Sequence, residues 1–205
     1  MPRSFFARSS VEVAPDLLGR TLVRALPDGS RLAGRIVEVE AYEPGDAASH
    51  GNRRMTDFNA TMFGPPGRLY VYFTYGNHWM MNVVTRPRGE ASAVLLRAIE
   101  PIDGIPIMES YRGRSLVTDL CSGPGKLTKA LGVDKSLDGT DLVRGREVWI
   151  EAGDPLTPDH VAVGIRVGVS VGLDKDWRFV ERGSVFLSKG KPGPPSGSRR
   201  RRTTA

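Results

Sequence analysis

Apolar and polar residues alternate along much of this chain, and a period of two residues is typical of half-buried β-strands. The clearest alternation lies at 31–42, where Val37, Val39 and Ala41 would form a core face. The opposite face would carry Ile36 together with two carboxylates and an aromatic ring, Glu38, Glu40 and Tyr42. This pattern predicts a strand whose second face is either a solvated polar surface or a chemical site.

The other segments predict more strands than helices. Two aromatic-rich apolar runs within 68–85 predict a β-hairpin with Tyr75 at its tip, and 91–101 predicts a strand closed by Pro101. Helical segments are predicted at about 104–113 and about 124–131, and 14–26 predicts a short helical turn followed by a strand. Further short strands are predicted within 146–153, 161–169 and 177–188. The predicted class is α+β, with a curved, mostly antiparallel sheet and a few helices.

Length and composition limit the possible classes of protein. A chain of 205 residues corresponds to one domain or at most two small ones. Cys121 is the single cysteine, so no internal disulfide can form, and with three histidines a zinc site built by the protein is not expected. The sequence has no apolar run long enough to span a bilayer and no signal pattern at its N-terminus. We therefore expect a soluble cytoplasmic protein without contact to a membrane.

The net charge of +6 comes from the C-terminal tail. Residues 189–205 hold six of the 29 Lys and Arg residues and no acid, which leaves 23 bases against 23 acids in 1–188. We predict a folded domain at 1–188 and a disordered basic tail at 189–205. The tail is either an arm that scans DNA or RNA electrostatically or a solvated terminus without a role.

Several residues could carry chemistry, and each has an ordinary structural alternative. Residues two apart on one strand face lie about 7 Å apart. Glu38 and Glu40 could therefore be the two carboxylates of an inverting glycoside hydrolase, or one of them could activate water. Arg97 lies inside an apolar strand and could bind a carboxylate, a water or a phosphate. Tyr75 could be a wedge that unstacks DNA bases, or it could fold back onto the sheet.

Six motifs follow one another along the chain. Their combination in this order is specific for one protein family, although no single motif is specific by itself. They are LLGRTLVR (17–24), GRIVEVEAYEPGDAASH (34–50), MFGPPGRLYVYFTYGNHWMMNVV (62–84), LLRAIEP (95–101), CSGPGKLTKALGVD (121–134) and RFVERG (178–183). With this combination the chain resembles the alkyladenine (3-methyladenine) DNA glycosylase family, the mammalian-type N-methylpurine DNA glycosylases. The resemblance covers nearly the whole chain except the tail.

The resemblance implies a single-domain α+β fold with a protruding β-hairpin that inserts into DNA. It implies a monofunctional glycosylase of base excision repair, with 1–188 as its catalytic domain. The enzyme would flip damaged purines out of double-stranded DNA, hydrolyse the N-glycosidic bond with an activated water and leave an abasic site. The implied substrates are 3-methyladenine and 7-methylguanine, with hypoxanthine and ethenoadenine as further candidates. No cofactor or metal is implied, and the protein would act as a monomer, associated with the nucleoid through DNA binding.

The resemblance also assigns roles in the base-binding pocket. Glu40 in VEAY matches the general base that activates the attacking water, and Arg97 in LLRAIEP matches the arginine that helps to hold this water. Tyr42 and Tyr72 match the aromatic residues that stack on the flipped base, and His50 matches a hydrogen-bonding histidine at the pocket wall. The polar strand face would then be the floor of an active site, with Glu40 and Tyr42 pointing into the pocket.

Further residues match positions that contact or discriminate DNA. Tyr75 matches the tyrosine that intercalates and fills the space left by the flipped nucleotide. Asn82 matches the asparagine that crowds the exocyclic amino group of guanine. Arg112 and Lys126 match positions that contact backbone phosphates, and Lys135 is a weaker match for the same role.

Two segments depart from the family pattern. Members commonly have Thr-Pro-Arg-Asn where residues 56–59 of this chain read Thr-Asp-Phe-Asn, so an arginine that could contact DNA is absent. Arg53 and Arg54 lie nearby. Asn77 replaces a residue that is often Met, which makes the wedge less apolar. Both changes concern DNA affinity and lesion range more than the chemistry.

Two other functions remain open. A glycoside hydrolase would need both Glu38 and Glu40 and would not need DNA, whereas the glycosylase assigns Glu38 a structural role. A non-catalytic nucleic-acid-binding module of the same fold would bind without releasing a base. The hairpin with Tyr75 argues against the first function, and Glu40 together with Arg97 argues against the second.

Overall fold

An antiparallel sheet of eight strands organises the part of the chain that the computed structural model describes, residues 1–74 and 76–189. The strands are β1 Thr21–Ala25, β2 Arg31–Tyr42, β3 Leu69–Thr74, β4 His78–Val84, β5 Ala93–Asp103, β6 Val148–Glu151, β7 Val161–Gly164 and β8 Arg178–Glu181. Six of them follow the order β3-β4-β5-β2-β1-β6, and β8 pairs with both β2 and β7. This arrangement confirms the predicted α+β class and the antiparallel sheet.

Short helices accompany the sheet. They are α1 Arg3–Phe6, α2 Ser10–Leu17, α3 Ile105–Arg112, α4 Val117–Leu120 and α5 Pro124–Ala130, with 3-10 turns at His50–Asn52, Ala60–Phe63, Lys135–Leu137 and Pro158–His160. The segments near 104–113 and 124–131 are confirmed as helices, whereas α1 and α4 are too short to show a helical period in the sequence. Within the described ranges, no helix is long and apolar enough to cross a membrane.

The two faces of β2 differ from the prediction at one point. Ile36, Val39 and Ala41 belong to the main hydrophobic core, whereas Val37 is buried outside it. The predicted grouping of Val37 with Val39, and of Ile36 with Glu38, is therefore wrong. The register with β5 shifts between Ile36 and Glu38, so Val37 is an extra residue and the alternation reverses there.

The end of β5 also differs from the prediction. The strand continues beyond Pro101 to Asp103, so Pro101 does not close it. Pro101 pairs with Gly34, where the register between β2 and β5 is again irregular. A proline without an N–H is tolerated at such an irregularity because a regular ladder bond is not required there.

The pairing of β3 with β4 places aromatic side chains next to a second, smaller hydrophobic cluster. Its buried members are Met62, Tyr70, Val84, Ala91 and Ala93. Tyr72 packs against this cluster, whereas Leu69 and Val71 lie in the main core, so the side chains of β3 alternate between the two clusters. Tyr75 and residues 190–205 lie outside the described residues, so the wedge and the disordered tail stay predictions.

Candidate active site

A cavity of about 340 Å³ lies beside the second cluster. Its wall includes residues from four strands, from the turn at 50–52 and from the segment after β7, among them Tyr42, His50, Tyr72, Asn82, Arg97 and Val167. The volume falls within the range of about 300–1,000 Å³ that is usual for small-molecule pockets. The structure thus brings predicted pocket residues from three separate motifs into one cavity.

Glu40 lies beneath this wall and is fully buried. Its Oε1 accepts a hydrogen bond from the backbone N–H of Val167 at 2.6 Å. Its Oε2 accepts from the hydroxyl of Tyr42 at 2.9 Å and from Arg97 at 3.2 Å. All three donor residues line the cavity, but Glu40 does not. The expectation that Glu40 points into the pocket is therefore wrong in detail, because its carboxylate is held directly behind the residues that form the floor.

Burial raises the pKa of Glu40 above its ordinary value. The positive charge of Arg97 and the hydrogen bonds from Val167 and Tyr42 act in the opposite direction, and the negative charge of Glu38 adds to the increase. A carboxylate with a raised pKa is a stronger base, which suits a group that must take a proton from water.

Glu38 has a different environment two residues earlier on the same strand. Its Oε1 accepts from Nε of Arg97 and from Nε of Arg178, both at 2.8 Å, and Ser188 donates to both of its oxygens. Burial opposes ionisation here too, but the charges of Arg97 and Arg178 and the bonds from Ser188 hold the pKa of Glu38 below its ordinary value. Two neighbouring carboxyl groups with opposite pKa shifts indicate separate roles, with Glu40 the more basic of the pair.

Arg97 connects the two carboxylates. The sequence left open whether it binds a carboxylate, a water or a phosphate, and the structure shows that it binds both Glu38 and Glu40. Its side chain is 7% exposed, and it lines the cavity. Because the guanidinium remains charged in proteins, it supplies a fixed positive charge at the floor of the cavity.

Aromatic rings form one wall of the cavity. The rings of His50 and Tyr72 meet edge to face, with centroids 4.5 Å apart. Nδ1 of His50 lies 3.1 Å from the hydroxyl of Tyr70, and the O–H of Tyr70 donates to the carbonyl of Phe58 at 3.3 Å. Burial and the charge of Arg53 lower the pKa of His50, which favours the neutral imidazole at pH 7. This wall can stack on a planar base without adding a second positive charge.

Arg166 supports Tyr42, another residue that lines the cavity, and sequence reasoning missed it. Its guanidinium lies over the ring of Tyr42, 4.6 Å from the centroid, and forms a fully buried ion pair with Asp46. It also donates to the carbonyl of Ala41 at 3.0 Å. Arg166 thereby fixes Tyr42. It also fixes its own neighbour in the chain, Val167, whose N–H donates to Glu40. No motif signals this arginine, because it lies in irregular chain far from β2.

Phe58 is a second residue whose position the sequence did not indicate. Its ring contacts those of His50 and Tyr72, with centroids 5.1 and 5.8 Å apart, and the residue is 50% exposed. Phe58 lies in the loop that departs from the family pattern. Where family members commonly have the arginine of Thr-Pro-Arg-Asn, this chain therefore has an exposed aromatic residue at the edge of the cavity wall.

Asn82 lies on β4 at the cavity wall and is 4% exposed. Its side-chain amide donates to the carbonyl of Tyr70 at 3.2 Å, across the β3–β4 pair. This bond fixes the orientation of the amide, so the group can act as a rigid steric boundary for a base.

The three predicted phosphate contacts all have partners inside the protein. Arg112 donates to the carbonyl of Leu120 at 3.0 Å and lies near Asp119, which also forms an ion pair with Lys126. Lys135 is more exposed and lies 2.8 Å from Asp138. Contact with DNA stays a prediction for all three residues. Among the described residues, no group of three His, Cys, Asp or Glu side chains could hold a metal ion.

Comparison with known proteins identifies close relatives. A family model described as "Methylpurine-DNA glycosylase (MPG)" matches residues 4–185. A protein of Carboxydothermus hydrogenoformans named "Putative 3-methyladenine DNA glycosylase" is 46% identical over 189 residues, which are 92% of this chain and 98% of that protein. Proteins of the same name from Burkholderia cenocepacia and Salinibacter ruber are 47% and 42% identical, over 94% and 96% of this chain and 92% and 98% of their own.

Proposed function

Since the chain belongs to the methylpurine-DNA glycosylase family and is a DNA glycosylase of DNA repair, we propose that it removes 3-methyladenine and 7-methylguanine from double-stranded DNA, with Glu40 as the general base. One observation carries the proposal. Glu40 is held by three residues that form the floor of an aromatic-walled cavity. A flipped base in this cavity would place its sugar next to the carboxylate that has to activate water.

The attacking water would be held by Arg97 and Glu40. A terminal guanidinium nitrogen carries two hydrogens. NH1 of Arg97 donates one of them to Glu40, so the second can hold a water beside the carboxylate. Glu40 then takes a proton from this water while the oxygen of the water forms a bond with C1′ of the deoxyribose.

The bond between C1′ and the purine nitrogen breaks in the same reaction, and its electron pair leaves with the base. An alkylated purine that carries a positive charge departs as a neutral molecule. The sugar meanwhile acquires oxocarbenium character, which the negative charge of Glu40 stabilises. Because water is the nucleophile and none of the described residues that line the cavity is a lysine, the product would be an abasic site and the strand would not be cut.

Tyr42, Tyr72 and His50 would bind the flipped base. Electron-rich tyrosine rings attract a cationic purine, and stacking compensates part of the cost of removing the nucleotide from the duplex. Asn82, with its amide fixed on Tyr70, would exclude the exocyclic amino group of normal guanine.

Neutral lesions such as hypoxanthine and ethenoadenine would be slower substrates, because they need a proton on the leaving base. Burial raises the pKa of Tyr42 well above its ordinary value and raises that of Tyr70 as well. The pKa of His50 is lowered, so its imidazole is neutral and cannot supply a proton readily at pH 7. These three cavity residues are therefore poor general acids, which favours cationic substrates.

The remaining contacts with DNA follow from the same family membership. Tyr75 would fill the gap in the duplex, and Arg112, Lys126 and Lys135 would contact phosphates. The protein would act as a monomer and would be held near the nucleoid by its affinity for DNA. The basic tail at 189–205 would add affinity that does not depend on sequence.

The two alternative functions are less well supported. In a glycoside hydrolase, Glu38 would have to exchange protons, but both of its oxygens accept bonds from Arg97, Arg178 or Ser188, and its pKa is lowered. A pure binding module would not need a buried carboxylate with a raised pKa beneath a cavity.

The experiment that tests the proposal is single-turnover base release from duplexes that contain 3-methyladenine or hypoxanthine. We expect release of 3-methyladenine and an intact abasic strand. Tight duplex binding without release from either substrate would refute the enzyme mechanism and favour the binding module.

A further inference from the structure

Ser188 contacts the ionic groups of the site from the C-terminal segment, beyond the stretch of 4–185 that the family model matches. Its backbone N–H donates to Oε2 of Glu38 at 2.6 Å. Its hydroxyl donates to Oε1 of Glu38 at 2.8 Å and accepts from NH2 of Arg97 at 3.2 Å. Ser188 is 8% exposed, so these bonds are shielded from water. No motif of the sequence pointed to this serine.

The bonds from Ser188 and Glu38 fix the orientation of Arg97. Each nitrogen of its guanidinium has a different partner, with Nε on Glu38, NH1 on Glu40 and NH2 on Ser188. Arg97 therefore contacts Glu40 through one nitrogen only. A guanidinium that is free to turn prefers two parallel bonds to one carboxylate, so this single contact is imposed by the other two partners.

We propose that Ser188 and Glu38 are positioning residues that hold Arg97 to a single contact with Glu40, which keeps Glu40 basic and leaves one hydrogen of Arg97 for the attacking water. This inference deepens the proposed function, because it rests on Glu40 as the base. Without the two restraints, Arg97 would turn onto Glu40 with both terminal nitrogens. That geometry would stabilise the carboxylate as an anion and would occupy the place of the water.

The charges around Glu40 support this arrangement. The titratable and charged groups that face it are Tyr42 and Glu38 on β2, Arg97 on β5, Arg178 on β8 and Arg166 after β7. Burial raises the pKa of Glu40, Arg97 lowers it and Glu38 raises it. A closer contact with Arg97 would therefore lower the pKa of Glu40 and make it a weaker base.

The test compares Ser188→Ala with two variants. Ser188→Thr keeps a hydroxyl, and Ser184→Ala removes a hydroxyl in the same segment that accepts a hydrogen bond from the N–H of Phe186. We expect the plateau rate of 3-methyladenine release to fall about tenfold in Ser188→Ala, as for loss of hydrogen bonds to charged groups. The acid limb of its pH profile moves to lower pH, and duplex affinity is unchanged. Ser188→Thr restores both properties, and Ser184→Ala matches wild type.

A second measurement separates this inference from the proposed function. The side-chain carboxyl of Glu40 is titrated by ¹³C NMR in wild type and in Ser188→Ala, with Glu40→Gln used to assign the signal. We expect the midpoint to be lower in Ser188→Ala. An unchanged midpoint would overturn the positioning role, even if wild type releases no base and the proposed function itself has failed. A rate loss without a change of the acid limb or of the midpoint would also overturn it, because it would show a merely structural role.

Discussion

Tyr42→Phe removes one hydrogen bond from the candidate base and nothing else from the cavity wall. The hydroxyl of Tyr42 donates to Oε2 of Glu40 at 2.9 Å, and Glu40 is fully buried. A hydrogen bond to a charged group contributes about 1.5–3 kcal/mol. In the variant, the carboxylate loses this stabilisation, whereas the protonated acid does not. The pKa of Glu40 must therefore rise further, and formation of the active, ionised carboxylate must require a higher pH.

The assay is single-turnover release of 3-methyladenine as a function of pH. Since about 1.4 kcal/mol corresponds to one pH unit, the acid limb of the rate profile should move to higher pH by about one to two units. Tyr111→Phe is the control, since Tyr111 is 41% exposed on α3 and does not line the cavity. An acid limb in Tyr42→Phe that coincides with that of wild type would refute the reasoning.

Four further outcomes are expected. Arg97→Lys replaces the planar fork of three nitrogens that reaches Glu38, Glu40 and Ser188 by one ammonium group, so it should slow base release about tenfold or more with duplex affinity retained, and an unchanged rate would contradict the site. Lys126→Ala should reduce the slope of log affinity against log salt by about 1, and an unchanged slope would exclude its phosphate contact. Phe58→Ala should weaken binding of lesion-containing duplex about three- to tenfold in a titration, whereas Met55→Ala, at a residue of similar exposure, should not. Wild type should release 3-methyladenine at least about 100-fold faster than hypoxanthine at pH 7, and equal rates would reveal a general acid that the cavity wall does not indicate.

The local pattern of the sequence predicted those elements whose side chains alternate without interruption. In β3, Tyr70 and Tyr72 lie on one side and Leu69 and Val71 on the other, as the alternation requires. In β2 the same rule failed at Val37, because a bulge depends on the partner strand and has no signature in the strand itself. The ends of strands are similarly set by their neighbours.

The difference between Glu38 and Glu40 could not be predicted from their surroundings in the sequence. Both lie between small or β-branched apolar residues on one strand. Their pKa values diverge because Arg178 and Ser188, 140 and 150 residues away, bind Glu38 and lower its pKa, whereas burial prevails at Glu40. Contacts at such separations follow from the completed fold. The family resemblance selected Glu40, but only the three-dimensional arrangement supplies a physical reason.

The most direct test of the central claim is base release by Glu40→Gln under single-turnover conditions. The substrate is a duplex that carries 3-methyladenine, and the control is Glu90→Gln, which removes a carboxylate at the surface. Loss of a general base should slow release by about 100- to 10,000-fold, with duplex affinity and folding retained. Glu90→Gln should match wild type. Release by Glu40→Gln at the rate of wild type would contradict the account, because it would show that another group activates the water.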